Sequence, residues 1–324
     1  MTAAPLIEAE RVSKVFPGRG VFRRTRAVQA VRGVDLAIGR GEAVGVVGES
    51  GSGKSTLGRL LLGLIPVTEG QIRFDGAPLD GASRPAWRRL RRRMQIVFQD
   101  PFGSLDPRRR VGAQIADALT IHGLVRPAER GARVAALLRQ VGLEPAHAKR
   151  FPHEFSGGQR QRIGIARALA AEPEFLVADE PVSALDVSIQ AQILALLDDL
   201  RLRLGLTLLF ISHDLHVVRH LCDRVVVMYL GRVMEEGPVR AVFEAPAHPY
   251  TRALLSATPR LDPARRTNRI LLPGEPPSPS DPPTGCVFRT RCAHARPACA
   301  ATVPALEPHG TARRVACLRR DEIA

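Results

Sequence analysis

The sequence predicts an α/β fold in which a largely parallel sheet is covered by helices. Short apolar runs of strand length alternate with stretches of helical spacing, which is typical of parallel strands joined by helical crossovers. A glycine-rich segment at 48–56 lies between one apolar run and one helical stretch. Residues from about 111 to 171 carry helical spacing without a strong strand signal, so we expect a helical subdomain inserted into the core.

The predicted strands are short apolar runs bounded by glycine or polar residues. They lie at Leu6–Ala9, Val34–Ile38, Ala43–Val47, Gln71–Phe74, Met94–Phe98, Phe175–Ala178, Leu206–Ile211 and Val225–Met228. Helices are predicted between Thr56 and Pro66, at Ser188–Leu204 and around Asp214–Leu221. The basic segment Pro17–Arg26 is predicted to be a loop between strands.

The chain changes character near residue 246. Six prolines between residues 273 and 283 predict an irregular segment, which leads to four cysteines near the end of the sequence. We therefore expect a main domain at 1–245, with the helical subdomain inserted at about 100–171. A C-terminal extension is expected at 246–324.

The segment Gly48–Thr56 matches the phosphate-binding pattern G-x-x-x-x-G-K-[ST] in full, between the predicted strand Ala43–Val47 and an amphipathic helix. Its glycines let backbone N–H groups converge on phosphate oxygens, and the helix N-terminus adds a favourable dipole. We expect Lys54 to reach the β- and γ-phosphates and the Ser55 hydroxyl to ligate Mg²⁺. The residues predicted to bind the nucleotide here are Gly48, Glu49, Ser50, Gly51, Ser52, Gly53, Lys54, Ser55 and Thr56.

Two carboxylates follow the strand predicted at Phe175–Ala178. Asp179, at the strand end, can hold Mg²⁺ through water, and Glu180 can polarise the water that attacks the phosphate. An acidic pair after a strand also occurs as a simple helix cap. Together with the phosphate loop, however, the pair predicts an enzyme that hydrolyses ATP with Mg²⁺.

The net charge of +15 favours an anionic partner, such as nucleic acid, a lipid surface or a nucleotide. Only three of the 47 basic residues are lysine, and so general an arginine bias also arises from genome composition. No apolar run approaches the roughly 18 residues that span a bilayer. The segment Met1–Arg11 has no secretory signal pattern, so we expect the protein to stay in the cytoplasm.

Cys222 stands alone in an apolar context and is predicted to be a core residue. The other four cysteines, Cys286, Cys292, Cys299 and Cys317, form one group, which in a cytosolic protein indicates metal or redox chemistry. Four thiolates suit a [4Fe–4S] cluster or Zn²⁺, although the C-x₂₋₄-C pairs usual for structural zinc are absent. Free cysteines in a loosely ordered tail are the third alternative.

Residues Phe155-Ser156-Gly157-Gly158-Gln159, ahead of the basic helix Arg160–Ala170, resemble the signature motif of the nucleotide-binding subunits of ABC transporters. The resemblance covers roughly residues 6–245. It implies a RecA-like P-loop NTPase core with an antiparallel β subdomain and an inserted helical signature subdomain. It also implies a head-to-tail dimer, in which the γ-phosphate held by the other subunit is contacted by Ser156, Gly157, Gly158 and Gln159.

Further positions resemble the motifs of this family in order. Gln99 resembles the Q-loop glutamine, which senses Mg²⁺ and water and couples to the membrane subunits. Asp186 resembles the D-loop aspartate, and His213 the switch histidine that contacts the γ-phosphate. Phe16 lies where the family has its adenine-stacking aromatic residue, with Phe22 as the alternative.

The C-terminal residues narrow the resemblance. The segment His248–Thr251, the later Pro273–Pro277 and the four cysteines resemble the extension of oligopeptide and dipeptide importer ATPases, some of which carry an iron–sulfur cluster there. The segment Phe151–Phe155 and the long N-terminal insertion resemble the subunit that is usually paired with a second, homologous ATPase.

The resemblance implies an ATPase subunit at the cytoplasmic face of the membrane that energises an importer of di- or oligopeptides. Its expected partners are a second ATPase subunit (a homodimer being the alternative), two membrane permeases and, indirectly, an extracytoplasmic solute-binding protein. An importer of another small solute, such as a nickel chelate, is an alternative. A soluble ABC-type ATPase acting on nucleic acid is a further one, although no nucleic-acid partner is expected. A regulatory binder without catalysis is disfavoured because Lys54, Asp179, Glu180 and His213 are all present.

Overall fold

The computed structural model describes residues 4–18, 26–100, 103–257 and 269–323. The chain divides into two compact units. The first contains residues 1–38, 43–80 and 211–324, and the second contains 39–42 and 81–210. The C-terminal residues therefore belong to the same unit as the glycine-rich loop. The predicted helical subdomain at about 100–171 lies within the second unit.

The described residues form both strands and helices, as the predicted α/β class requires. The strands are β1 (Ile7–Phe16), β2 (Val28–Ile38), β3 (Ala43–Val47), β4 (Glu69–Phe74), β5 (Ala77–Pro78), β6 (Met94–Val97), β7 (Phe175–Asp179), β8 (Thr207–Ser212), β9 (Arg224–Tyr229), β10 (Arg232–Pro238), β11 (Glu307–Pro308) and β12 (Arg314–Val315). The helices are α1 (Lys54–Leu61), α2 (Arg84–Arg93), α3 (Val111–His122), α4 (Arg130–Gln140), α5 (Gly157–Leu169), α6 (Val187–Leu204), α7 (Leu215–Leu221), α8 (Val239–Glu244), α9 (Pro249–Ala257) and α10 (Ala298–Ala301).

The first unit contains an antiparallel sheet in the order β2-β1-β4-β5. Ile7 of β1 lies opposite Ile38 of β2 on one side and Phe74 of β4 on the other, and all three side chains are buried. Buried residues alternate with exposed ones along the second half of β2, as expected for a strand with one solvated face. This sheet is the antiparallel β subdomain that the resemblance implied.

The same unit also contains the strands that carry the glycine-rich loop. Strand β3 pairs in parallel with β9, and β9 pairs antiparallel with β10, which in turn pairs with the C-terminal strand β12. All five residues of β3 are buried, which explains its continuous apolar sequence. A side chain at Gly45 would collide with Val218 of α7, so glycine lets this helix pack closely against β3.

In the second unit, β6 and β7 pair in parallel, with Met94 opposite Phe175. Helix α5 buries Ile163, Gly164 and Ile165, and it belongs to the block for which the sequence predicted helices. Helix α6 ends at Gly205, whose φ of 64° is the left-handed conformation that commonly closes a helix. The unit thus combines parallel strands with a largely helical part.

The strand predictions are confirmed at every position, with differences in length. The predicted strand Ala43–Val47 is observed with the same bounds, and the one predicted at Leu6–Ala9 continues to Phe16. Strand β10 was not predicted, because its apolar pattern is interrupted by Glu235 and Glu236, which are both buried. Most of the predicted loop at Pro17–Arg26 lies outside the described residues. Cys222 is buried, as predicted.

Among the residues that the structure describes, no helix combines the length and the apolar character needed to cross a membrane.

Candidate functional site

The glycine-rich loop joins the end of β3 to the start of α1. Lys54 is only 5% exposed, and its ammonium donates to the backbone carbonyls of Gly48 at 2.8 Å and Glu49 at 3.0 Å. The backbone carbonyls of the loop thus hold the lysine side chain over the loop. A compact cation in this position can reach a phosphate chain lying on the loop.

The backbone of the loop requires glycine at two positions. Gly48 has a φ of 152°, and a side chain there would overlap the carbonyl oxygen of Met228. Gly53 has a φ of 99°, and a side chain there would overlap the carbonyl oxygen of Ala30. Gly51, between them, faces open space within 4 Å. The loop is therefore closely packed at Gly48 and Gly53 and open at Gly51.

The N-terminus of α1 fits an anionic ligand. Gly53 stands at the N-cap position and provides no side-chain cap, and the first turn contains no acidic residue. The neighbouring Ser52 hydroxyl is buried and has no hydrogen-bond partner among the described residues. Together with the buried Lys54 cation, these features fit the phosphates of a nucleotide, which supply acceptors and negative charge.

In the second unit, the predicted acidic pair lies at the end of β7. Asp179 is 3% exposed, and Glu180 follows with a φ of 45°, an uncommon conformation for a residue other than glycine. The turn is fixed by Ser183, which donates from its hydroxyl to the Glu180 carbonyl at 3.1 Å. Backbone strain of this kind often marks functional positions.

Gln99 and Glu180 lie 81 residues apart in the sequence, and the structure brings their side chains together. The Gln99 amide donates to the Glu180 carboxylate at 3.0 Å. Gln99 is exposed and Glu180 is half-buried, so both remain accessible to a ligand. A carboxylate oriented in this way can accept a proton from water.

Ser156 of the predicted signature motif caps helix α5. Its hydroxyl accepts from the Gln159 N–H at 3.3 Å, and the Gln159 side chain accepts from the Ser156 N–H at 3.1 Å, which is a capping box. A side chain at Gly158 would lie 2.5 Å from Ile189 of α6, so this glycine allows α5 and α6 to pack closely. Ser156 itself is exposed, as is Asp186 before α6.

Two other predicted residues lie in the first unit. His213 follows β8 directly and is exposed. Phe16 ends β1 and is 39% exposed, with the Lys14 ammonium 5.2 Å from the centre of its ring. Phe22, the alternative adenine-stacking residue, lies outside the described residues. The phosphate loop, Phe16 and His213 therefore belong to one unit, whereas Gln99, the signature motif, Asp179, Glu180 and Asp186 belong to the other.

The four C-terminal cysteines line one small cavity, of about 20 Å³, together with His248 and Phe288. Burial raises the pKa of the Cys286 thiol to about 11, and it also raises the pKa values of Cys292 and Cys317. Within the described residues, no three His, Cys, Asp or Glu side chains are arranged to hold a metal ion. The thiol donor set suits an iron–sulfur cluster or zinc, but within the described residues the four cysteines are not arranged around a common ion position.

Sequence reasoning missed two residues that contact the phosphate loop. The Tyr250 hydroxyl accepts from the Glu49 N–H at 2.9 Å, and Arg291 forms an ion pair with the Glu49 carboxylate at 2.8 Å. Tyr250 was noted only as part of a C-terminal motif. Arg291 carries no signal in a chain that is rich in arginine throughout.

Two family models match this chain, one towards its N-terminus and one towards its C-terminus. A family model described as ABC transporter matches residues 31–183, and one described as the oligopeptide/dipeptide transporter C-terminal region matches residues 234–299. The chain is 54% identical over 319 residues to a putative peptide import ATP-binding protein of Brucella ovis, covering 98% of this chain and 99% of that protein. It is 50% identical over 325 residues to the oligopeptide transport ATP-binding protein AppF of Bacillus subtilis, with coverage of 98% and 99%.

Among solved structures, the ATP-binding cassette MJ0796 in a dimeric post-hydrolysis state, bound to ADP and Pi, matches with a TM-score of 0.65 and 31% sequence identity. The match covers 72% of this chain and 99% of that one. The solved cassette therefore corresponds to most of this chain but not to all of it.

Proposed function

The chain belongs to the ABC transporter family, among the oligopeptide and dipeptide transport ATP-binding proteins, and from this premise we propose that it energises the import of di- or oligopeptides. It is an ATPase coupled to transport. The peptide assignment rests on the sequence identity of 50% or more to peptide import and oligopeptide transport ATP-binding proteins over 98% of the chain, including its C-terminal region.

ATP binds at the loop 48–56 in this proposal. The backbone of the loop and the N-terminus of α1 receive the phosphates, and Lys54 neutralises the charge of the β- and γ-phosphates. Phe16 stacks on the adenine. Ser55, Asp179 and Gln99 would hold Mg²⁺, which when bound would neutralise negative charge on the phosphates.

Hydrolysis depends on Glu180 as the group that accepts a proton from the attacking water. Its hydrogen bond from the Gln99 amide at 3.0 Å supports this role, because it orients the carboxylate before water binds. His213 contacts the γ-phosphate in the proposal. These groups align the reactants and stabilise charge, which is the main task in phosphoryl transfer.

The site is completed by a second subunit. We propose that the signature motif and the D-loop act on the nucleotide held by a homologous ATPase, through Ser156, Gly157, Gly158, Gln159 and Asp186. The equivalent motifs of the partner then act on the nucleotide held by this chain. The exposed Ser156 at the N-terminus of α5 supports this arrangement, because a helix N-terminus with small residues can approach an anion closely. Either subunit alone is then an incomplete enzyme.

The proposal places the protein at the cytoplasmic face of the membrane, bound to two permease subunits and served by an extracytoplasmic solute-binding protein. Purification of the tagged full-length chain from solubilised membranes tests this. We expect two integral membrane proteins and a second ATPase to co-purify, and nuclease treatment to leave them bound. Co-purification of nucleic acid alone, lost after nuclease treatment, would contradict the transport assignment.

We also propose that the cysteine cavity takes up metal, with a [4Fe–4S] cluster as the first candidate and Zn²⁺ as the second. The presence of all four cysteines around one cavity supports this. Uptake requires the thiols to deprotonate and the cavity to widen. Anaerobic purification should yield brown protein with about four iron atoms per chain. Equimolar zinc in colourless protein would select the alternative, and metal-free protein would reject both.

A further inference from the structure

The His248–Thr251 segment is anchored firmly within the first unit. The Glu235 carboxylate accepts from the N–H groups of Ala247 and His248, both at 2.9 Å. The His248 imidazole accepts from the Tyr250 N–H at 3.0 Å and also hydrogen-bonds to the backbone of Ala316. Burial lowers the pKa of His248 to about 3, so the ring is neutral at physiological pH and can accept this bond. The start of α9 is thus fixed to β10 and to the end of the chain.

Tyr250 extends from this anchor to the phosphate loop. Its side chain is fully buried, with its ring centre 4.7 Å from that of Tyr229 and 5.3 Å from that of Phe288. Burial raises the pKa of Tyr250, so the phenol stays neutral. Its hydroxyl can therefore accept the Glu49 N–H, and the rigid aromatic packing determines where that N–H lies.

Arg291 holds the side chain of Glu49. Arg291 is 7% exposed and donates to the Glu49 carboxylate at 2.8 Å. The Arg291 side chain is buried and that of Glu49 is 27% exposed, so the pair is partly shielded from water and costly to break on one side. Without the guanidinium, the Glu49 charge would stand uncompensated beside the site of the phosphates.

Besides the Ser52 N–H, which donates to its carbonyl at 3.2 Å, Glu49 contacts three side chains that serve the loop. Its N–H is held by Tyr250, its carboxylate by Arg291, and its carbonyl accepts from the Lys54 ammonium at 3.0 Å. Two of these partners come from the C-terminal residues, and the third is the proposed phosphate-binding lysine. A displacement of Glu49 would consequently displace an acceptor that positions Lys54.

We propose that the C-terminal extension is a positioning element of the ATP site, in which Tyr250 and Arg291 hold the phosphate loop through Glu49. Arg291 also cancels a carboxylate charge that would repel the triphosphate. Neither residue contacts the reacting atoms, so both are positioning residues. The inference rests on the proposed ATP site at the loop 48–56.

The test measures MgATP affinity of the full-length chain by calorimetry. Arg291→Met is expected to weaken binding about tenfold, within the range of measured couplings between sites. Arg291→Lys should recover part of the loss, because it restores the charge without the planar fork. In the complete transport complex, Arg291→Met should raise KM for ATP and change kcat by less than about threefold.

A double-mutant cycle separates positioning from a general loss of stability. In the Glu49→Gln background, adding Arg291→Met should weaken MgATP binding much less than it does in the wild type. Arg289→Met is the matched control, since Arg289 lies two residues away and its side chain donates to Thr284 rather than to Glu49. Tyr250→Phe should weaken binding by a smaller factor, because it removes only the hydroxyl acceptor.

The outcomes distinguish the two proposals. If the wild type binds no MgATP, the ATP site itself is wrong. If the wild type binds MgATP and Arg291→Met binds it equally well, the positioning role is wrong and the ATP site stands. The positioning role is also overturned if Arg289→Met weakens binding as much as Arg291→Met, or if the Glu49→Gln background leaves the loss unchanged.

Discussion

Replacing Glu180 by glutamine is expected to stop ATP turnover while MgATP remains bound. A glutamine amide cannot take the proton from water, so the rate should fall by at least about a hundredfold. The substituted side chain keeps an oxygen that can accept the Gln99 amide, so the geometry at the end of β7 is preserved. Phosphate release measures turnover, and retained radiolabelled nucleotide after gel filtration measures binding.

The matched control for this change is Glu144→Gln. Glu144 lies in the same unit, is exposed, and precedes a short helical turn away from β7. Its substitution removes the same charge and should leave turnover within about twofold of the wild type, as is usual for a surface position. Turnover of Glu180→Gln within tenfold of the wild type would remove Glu180 from its proposed role.

Replacing Lys54 by arginine is expected to weaken nucleotide binding strongly even though the charge is kept. Lys54 is buried and donates to two carbonyls at 2.8 and 3.0 Å, within a loop that allows no side chain at Gly48. A planar guanidinium is larger and cannot take the place of the ammonium without moving the loop. We expect MgATP affinity to fall by about a hundredfold, the scale of losing a charged hydrogen bond of about 3 kcal/mol.

Lys149→Arg is the control for this substitution. Lys149 is exposed at the end of a short helical turn in the second unit, and arginine can occupy such a position freely. Equilibrium dialysis with MgATP should therefore detect no change for Lys149→Arg. Wild-type affinity in Lys54→Arg would show that the loop does not hold the phosphates through this lysine.

The α/β class and the position of the glycine-rich loop could be predicted because their signals are local. A continuous apolar run of five residues followed by a complete glycine-lysine pattern has few structural solutions, and β3 has the predicted bounds. Strand β10 could not be predicted in the same way. A glutamate such as Glu235 is expected at the surface from the sequence, but it is buried. The structure shows that its carboxylate accepts hydrogen bonds from the Ala247 and His248 N–H groups.

The contacts of Glu49 could not be predicted because they depend on distant parts of the chain. Arg291 lies 242 residues from Glu49, and Tyr250 lies 201 residues away. No spacing rule applies over such separations. The sequence did group the four cysteines, which line one cavity, but it could not show that three of them are half-buried and that the described thiols are not arranged around a common ion position.

We propose that this ATPase turns over ATP to drive peptide import as one half of a composite site. The most direct measurement is phosphate release by the complete transport complex in proteoliposomes, with and without a peptide-loaded binding protein. The claim predicts turnover that rises severalfold with peptide and is lost with Glu180→Gln in this chain. The proposal would be contradicted if turnover did not respond to peptide but rose with nucleic acid. It would also be contradicted if the isolated chain, without a partner, hydrolysed ATP as fast as the complete complex.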